Sequence, residues 1–270
     1  MRTLVWVVAL AACGDDGSGV GGDGGTKDAN VPLNTGAILI SSFRSKQVGT
    51  EVSNTIVNAS FSPQQTSTPP CTSQTVGPCI VSQCSGPFPM QTLASGGTVT
   101  VMGVGTTATL TPGFGNMYQP VNTGASFAGG ETITMQGTGA DTPAFSFTLL
   151  APARAAITTP AKPSGTDALV IDRSHDLSVA WTGGGTSEID FVFGSPGLVN
   201  MNCAFPASAG SATIPTAALQ MLSAGSGSFS ASTEVIKSVD VGAWRFYGEA
   251  FFTVVWSIDE SNGSVTTTLQ

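Results

Sequence analysis

The only histidine of the chain, His175, lies in the run Arg173-Ser174-His175-Asp176, so a serine, a histidine and an aspartate stand side by side. These are the residue types of a nucleophile, a general base and its orienting acid. The spacing argues against that chemistry. Neighbours along a strand point to opposite faces, whereas a catalytic triad needs three side chains converging in one hydrogen-bonded chain. No Gly-x-Ser-x-Gly elbow accompanies them. His175 reads as a solvated residue at the start of a strand.

Glycoside hydrolysis would need two carboxylates within about 10 Å of each other. Outside the N-terminal stretch the acids are Glu51, Glu131, Asp141, Asp167, Asp172, Asp176, Glu188, Asp190, Glu234, Asp240, Glu249, Asp259 and Glu260. No spacing among them singles out a pair. No Asp-x-Asp-x-Asp-Gly loop signals calcium. The run Gly137 to Asp141 (GTGAD) lies between strand patterns and reads as a turn, because glycine-rich phosphate sites open a helix. No catalytic residue, metal site or cofactor is expected, and the chain is read as not an enzyme.

Five cysteines remain to be placed. Cys71, Cys79 and Cys84 crowd what reads as one loop, and Cys203 stands far off. Their spacing lacks the close pairs and histidine partners of a zinc site. Disulfide formation is the expected chemistry, with one bridge inside the loop, Cys71 to Cys84. Val199, Met201, Cys203 and Phe205 share one strand face, so Cys203 is expected to be a buried free thiol behaving as a small hydrophobe.

Cys13 is different. Arg2 begins a short positive region, and Leu4 to Ala12 is an unbroken apolar run. That run is too short to span a bilayer, which takes roughly 20 apolar residues, but it suits a signal-peptide core. It ends Leu10-Ala11-Ala12-Cys13. This tetrapeptide resembles the lipobox of bacterial lipoproteins. The resemblance implies cleavage after Ala12 and acylation of Cys13, with several chains at about 0.8 kcal/mol per buried CH₂ giving stable attachment. In that family an aspartate directly after the cysteine often signals inner-membrane retention. Here Gly14 follows and Asp15 comes one later, which favours the outer membrane. Residues 1–12 are thus read as a signal peptide. Residues 13–34 are read as the anchor and a disordered Gly/Asp tether, too poor in apolar side chains to offset ordering entropy.

The elements that must position everything else are read from composition and period. Charged residues make up only 10% of the 270, and the formal charge of −8 becomes −9 when Arg2 leaves with the signal peptide. No basic cluster appears, which excludes nucleic acid as a partner. Apolar residues alternate with polar ones at Val99/Val101, Phe145/Phe147/Leu149, Leu177/Val179/Trp181 and Ile189/Phe191/Phe193. Such alternation marks antiparallel sheets with one wet face. The longest stripe runs Trp244, Phe246, Ala250, Phe252, Val254, Trp256, Ile258, interrupted at Gly248 by an expected bulge or bend. One short helix is expected over Thr216 to Leu222, following Pro215.

The proline-rich stretch 151–165 places a boundary near Pro152. The expected architecture is all-β, with two antiparallel β-sandwich domains in tandem, 35–151 and 152–270, the second immunoglobulin-like in size and turn spacing. Stretches such as 70–79, 127–131, 143–152, 176–184 and 212–215 resemble two-domain bacterial lipoproteins of no known activity. The expected function is a non-catalytic binding or structural role at the cell envelope, with the membrane reached through the anchor and an envelope protein or polysaccharide as partner. The alternative is a carbohydrate-binding module. Tyr247 and Phe251, on the second face of the last stripe, would then stack on sugar rings. Asn58 and Asn262 begin Asn-x-Ser triplets by chance.

Overall fold

In the computed structural model the described residues are 34–47, 50–63, 71–86, 92–164, 167–254, 256 and 264–270. Cys13 and the 13–34 tether, apart from Asn34, lie outside them, as does Ile258. The strands are β1 (Asn34–Gln47), β2 (Thr50–Ser62), β3 (Cys71–Val76), β4 (Cys79–Cys84), β5 (Val99–Met102), β6 (Ala108–Leu110), β7 (Val121–Asn122), β8 (Thr132–Gly137) and β9 (Phe145–Leu150). They continue as β10 (Ala155–Thr159), β11 (Leu169–Ile171), β12 (Leu177–Gly183), β13 (Glu188–Ser195), β14 (Val199–Pro206), β15 (Ser211–Ile214), β16 (Gly225–Val241), β17 (Trp244–Thr253) and β18 (Ser264–Leu269). The helix α1 is shorter than expected, Thr216–Leu219, and its last residues turn tightly, with the Leu222 N–H donating to the Leu219 carbonyl.

The fold is an all-β sandwich. One large sheet runs β3-β4-β14-β13-β16-β17-β1-β2-β7, with β18 and β11 added beside β16. A sheet of β6-β5-β8-β9 and another of β10-β12-β15 complete it. Period two decides which side chains meet. Val99, Val101, Ile133, Met135, Phe145 and Phe147 join Ile38, Ile40, Val57, Phe61, Phe246 and Phe252 in one core. Ile157, Val179, Trp181 and Ile214 join Ile189, Phe191, Phe193, Met201, Phe205 and Phe229 in the other. Both cores draw on the same inward face of the large sheet.

The boundary near Pro152 therefore separates the two small sheets but not the large one. β4 pairs with β14, and β1 lies parallel to β17, so strands from both sides of Pro152 share one hydrogen-bonded layer. Residues Leu33–Gln270 form one compact unit. The physical reason is that backbone groups of buried strands must be paired. The long β16–β17 hairpin offers edges reaching both cores, which β1 and β18 fill.

Gly248 is neither bulge nor bend. It keeps regular pairing with Ile38 and Lys237. A Cβ there would stand 2.5 Å from Met135 Sδ and 2.6 Å from a Phe147 ring carbon. The glycine lets the four-stranded sheet approach β17 closely. Gly248→Val is expected to cost about 1–3 kcal/mol through overpacking, read as a lower urea midpoint at unchanged slope.

Candidate functional site

The Arg173-Ser174-His175-Asp176 run forms a turn between β11 and β12. Asp172 Oδ1 accepts the Ser174 N–H at 2.8 Å and the Ser174 hydroxyl at 2.7 Å. His175 Nδ1 stands 2.8 Å from Asp172 Oδ2 and 2.9 Å from Ser174 Oγ. Serine and aspartate thus compete for one ring nitrogen, whereas a triad divides them between the two. The histidine side chain is 79% exposed. The Ser174 hydroxyl and N–H hold the Asp172 carboxyl down at about 2. Asp176 accepts the N–H and hydroxyl of Thr216 at 2.7 and 2.6 Å, and Arg173 donates to the Leu222 carbonyl at 2.7 Å. The motif braces α1 against the strands.

The cysteines do not lie in a loop. Cys71 and Cys84 close the open end of the β3–β4 hairpin, where they face each other in register and are bonded, as expected. Cys203 is not free. It is bonded to Cys79, its partner across β14 and β4. Both members of that bridge are completely buried. The core position of Cys203 was legible in its strand face. Its partner was not, because β4 and β14 are brought together by tertiary pairing.

Several described acids have local work. Glu131 accepts the N–H groups of Ala128 and Gly129 at 2.6 and 2.7 Å. Asp141 accepts the Ser95 N–H at 2.8 Å, and Asp240 takes Arg245 in a two-pronged contact at 2.7 and 2.9 Å. Glu188, Asp190, Glu234 and Glu249 make no such contact, and these four share the outward face of the large sheet. Glu188 lies directly opposite Glu234, Asp190 opposite Ser232, and Glu249 opposite Ile236. Asp190, Glu234 and Glu249 therefore step diagonally across β13, β16 and β17.

This row is acidic without being wet. Asp190 is 2% exposed, and neither of its carboxylate oxygens makes a hydrogen bond of ordinary geometry among the described residues, although the Asn202 amide and the Glu234 carboxyl are close enough to act on it. Glu234 and Glu249 are half-buried, and Glu249 Oε2 is likewise buried without a donor. Burial, then the charge of Glu234, pushes Asp190 up to about 9. Burial, then Glu249, raises Glu234 to about 7, and burial, then Asp190, raises Glu249 to about 7. Low dielectric and like charges both favour the protonated acid. Such perturbed groups concentrate at functional sites.

Tyr247 and Phe251 flank Glu249 on the same face, and both are half-buried like it. They enter neither core. The cross-strand neighbours of these two rings on β1 and β16 are Ala37, Ser238, Ser41 and Glu234. Each acid's polar-face position was readable from period two. The grouping was not, because it needs the order β13-β16-β17. One signal was available: Ile236, Tyr247 and Phe251 fall on the nominally polar side of their strands, marking a face that is only partly solvated. Among the described residues no group of three or more His, Cys, Asp or Glu is placed to hold a metal ion.

No family model matches the chain, and no curated protein matches it. Among solved structures it aligns with a Ca²⁺-stabilized adhesin that helps an Antarctic bacterium reach out and bind ice, at 11% identity and a TM-score of 0.17. That alignment takes in 83% of this chain, which spans 65% of the adhesin chain. A likeness so slight bears on neither fold nor function.

Proposed function

We propose that the protein is a lipid-anchored, non-catalytic binding protein of the cell envelope, in the outer membrane, which presents the outward face of its large sheet to an envelope protein or polysaccharide. The observation that carries this reading is the pair of bridges, Cys71–Cys84 and Cys79–Cys203. Structural disulfides persist in oxidising extracytoplasmic compartments, and Leu10-Ala11-Ala12-Cys13 supplies an export and anchoring signal of the matching kind. The anchor is assigned to Cys13 on the strength of that signal. The test is intact mass with detergent partitioning. Wild type is expected to carry acyl mass and enter the detergent phase, and Cys13→Ala to lose both. An unmodified Cys13 with the protein in the medium would sink the reading.

Tyr247 and Phe251, half-buried on the outward face and part of neither core, favour carbohydrate binding as a second reading. In affinity electrophoresis through cell-wall polysaccharide, wild type should then be retarded and Tyr247→Ala/Phe251→Ala should not. Equal mobility of the two proteins would remove it.

A further inference from the structure

We infer that the outward diagonal Asp190–Glu234–Glu249, with Tyr247 and Phe251 beside it, is a binding site for a primary ammonium group of a ligand. The inference rests on reading this face as a binding surface and goes further by naming the chemistry of what binds.

The argument begins with an imbalance. Asp190 is 2% exposed, lies one diagonal step from Glu234 and feels its charge, and makes no hydrogen bond of ordinary geometry at either oxygen among the described residues, with the Asn202 amide a nearby donor. A buried carboxylate without a partner is costly, so it holds a proton or takes a cation. The outward faces of the surrounding strands place no unengaged cation beside it; Lys237 of β16 falls on the opposite face. On β13 the outward titratable groups are Glu188 and Asp190, and β14 contributes only the Asn202 amide nearby. On β16 they are Glu234 and Asp240, and on β17 Arg245, Tyr247 and Glu249. Arg245 is engaged by Asp240. The outward residues of β1 from 35 to 41, and Ile56, Asn58 and Ser60 of β2, carry no charge. The site therefore has anionic acceptors only, buried at Asp190 and half-buried at Glu234 and Glu249.

The choice of cation follows from reach. A metal ion draws its oxygens to about 2.0–2.6 Å, and no described trio of acids is gathered for that. An ammonium group donates up to three hydrogen bonds, to oxygens at about 2.7–2.9 Å; it needs only one or two carboxylates, with water taking the remaining N–H, and so does not require the three acids to converge. Aromatic faces within about 6 Å of a cation add attraction, and Tyr247 and Phe251 occupy the positions on either side of Glu249. Binding exchanges the protons of the carboxyls for the ligand's charge, so protons are released to solvent and ligand affinity rises with pH.

The test is calorimetric titration of the full chain in detergent with spermidine, at pH 6 and pH 8, in two buffers of different ionisation enthalpy. Affinity is expected to rise about tenfold or more across that interval, one proton released per tenfold per pH unit, with the released protons seen as a buffer-dependent heat. Glu234→Gln and Glu249→Gln keep size and remove repulsion, so both are expected to fold. Each should weaken spermidine about tenfold. Asp167→Asn removes the same charge from a distant loop and should leave affinity unchanged. Equal weakening by all three variants would mean diffuse attraction to an acidic protein, and would overturn the site. So would absence of pH dependence, or calcium binding at these residues with spermidine excluded. Any of these results leaves the partitioning of the Cys13→Ala variant, on which the anchor rests, untouched.

Discussion

Removing the Cys79–Cys203 bridge is expected to lower unfolding free energy by about 5 kcal/mol, more than any other single change considered. The bridge spans a sequence separation of 124. Cross-linking so long a loop removes roughly that much chain entropy from the unfolded state in the loop-closure picture. The Cys71–Cys84 bridge has a separation of 13 and closes a hairpin, for which the same relation gives about 3 kcal/mol. Position adds to the difference. Cys79 and Cys203 join the edge hairpin β3–β4 to β14, and so hold an N-terminal segment onto a C-terminal core. The paired variant Cys79→Ala/Cys203→Ala avoids a lone reactive thiol. Its urea midpoint should fall further than that of Cys71→Ala/Cys84→Ala. Equal falls would show that loop length is not what sets the two contributions.

The same pair of bridges shows where sequence reasoning succeeds and stops. Period two reports the face a side chain takes, because alternate residues point the same way on any strand. It correctly turned inward Phe191, Phe193, Met201, Cys203, Phe246 and Phe252, all of them buried. It does not report which strand lies alongside. The parallel pairing that sets Asn34 beside Trp244, and the antiparallel pairing that sets Cys79 beside Cys203, join segments far apart in the chain. Local turn chemistry cannot specify such pairs. Gly248 failed for a related reason. From the sequence it is a gap in a stripe, and only the approach of Met135 and Phe147 explains it. The proline-rich stretch marked a change of small sheet, because prolines interrupt a ladder, yet could not show that the large sheet continues past it.

The carboxylate diagonal is the clearest case of a site invisible to spacing and visible to physics, and it makes the second strong prediction. Stability should fall as pH rises. In the unfolded chain Asp190 titrates near 3.8, and Glu234 and Glu249 near 4.5. In the folded protein burial and mutual repulsion push them up to about 9, 7 and 7. Below about pH 4 both states hold these protons, and the contribution to stability is fully present. Above that the unfolded chain releases them first, so each group's contribution declines, by up to about 1.4 kcal/mol per pH unit. The decline for Glu234 and Glu249 ends near pH 7, and for Asp190 near pH 9. Asp190→Asn keeps the shape and removes the charge. It should raise stability at pH 8 by about 1–4 kcal/mol, as when a buried ionic group is replaced by one that needs no counterion. It should change little at pH 4, where the wild-type acid is already neutral. Thermal unfolding at the two pH values measures this directly, and a destabilised Asp190→Asn at pH 8 would show that the carboxylate has a partner in the fold. A gain would identify Asp190 as a group held at a cost to the fold, which is the condition under which a bound cation contributes most.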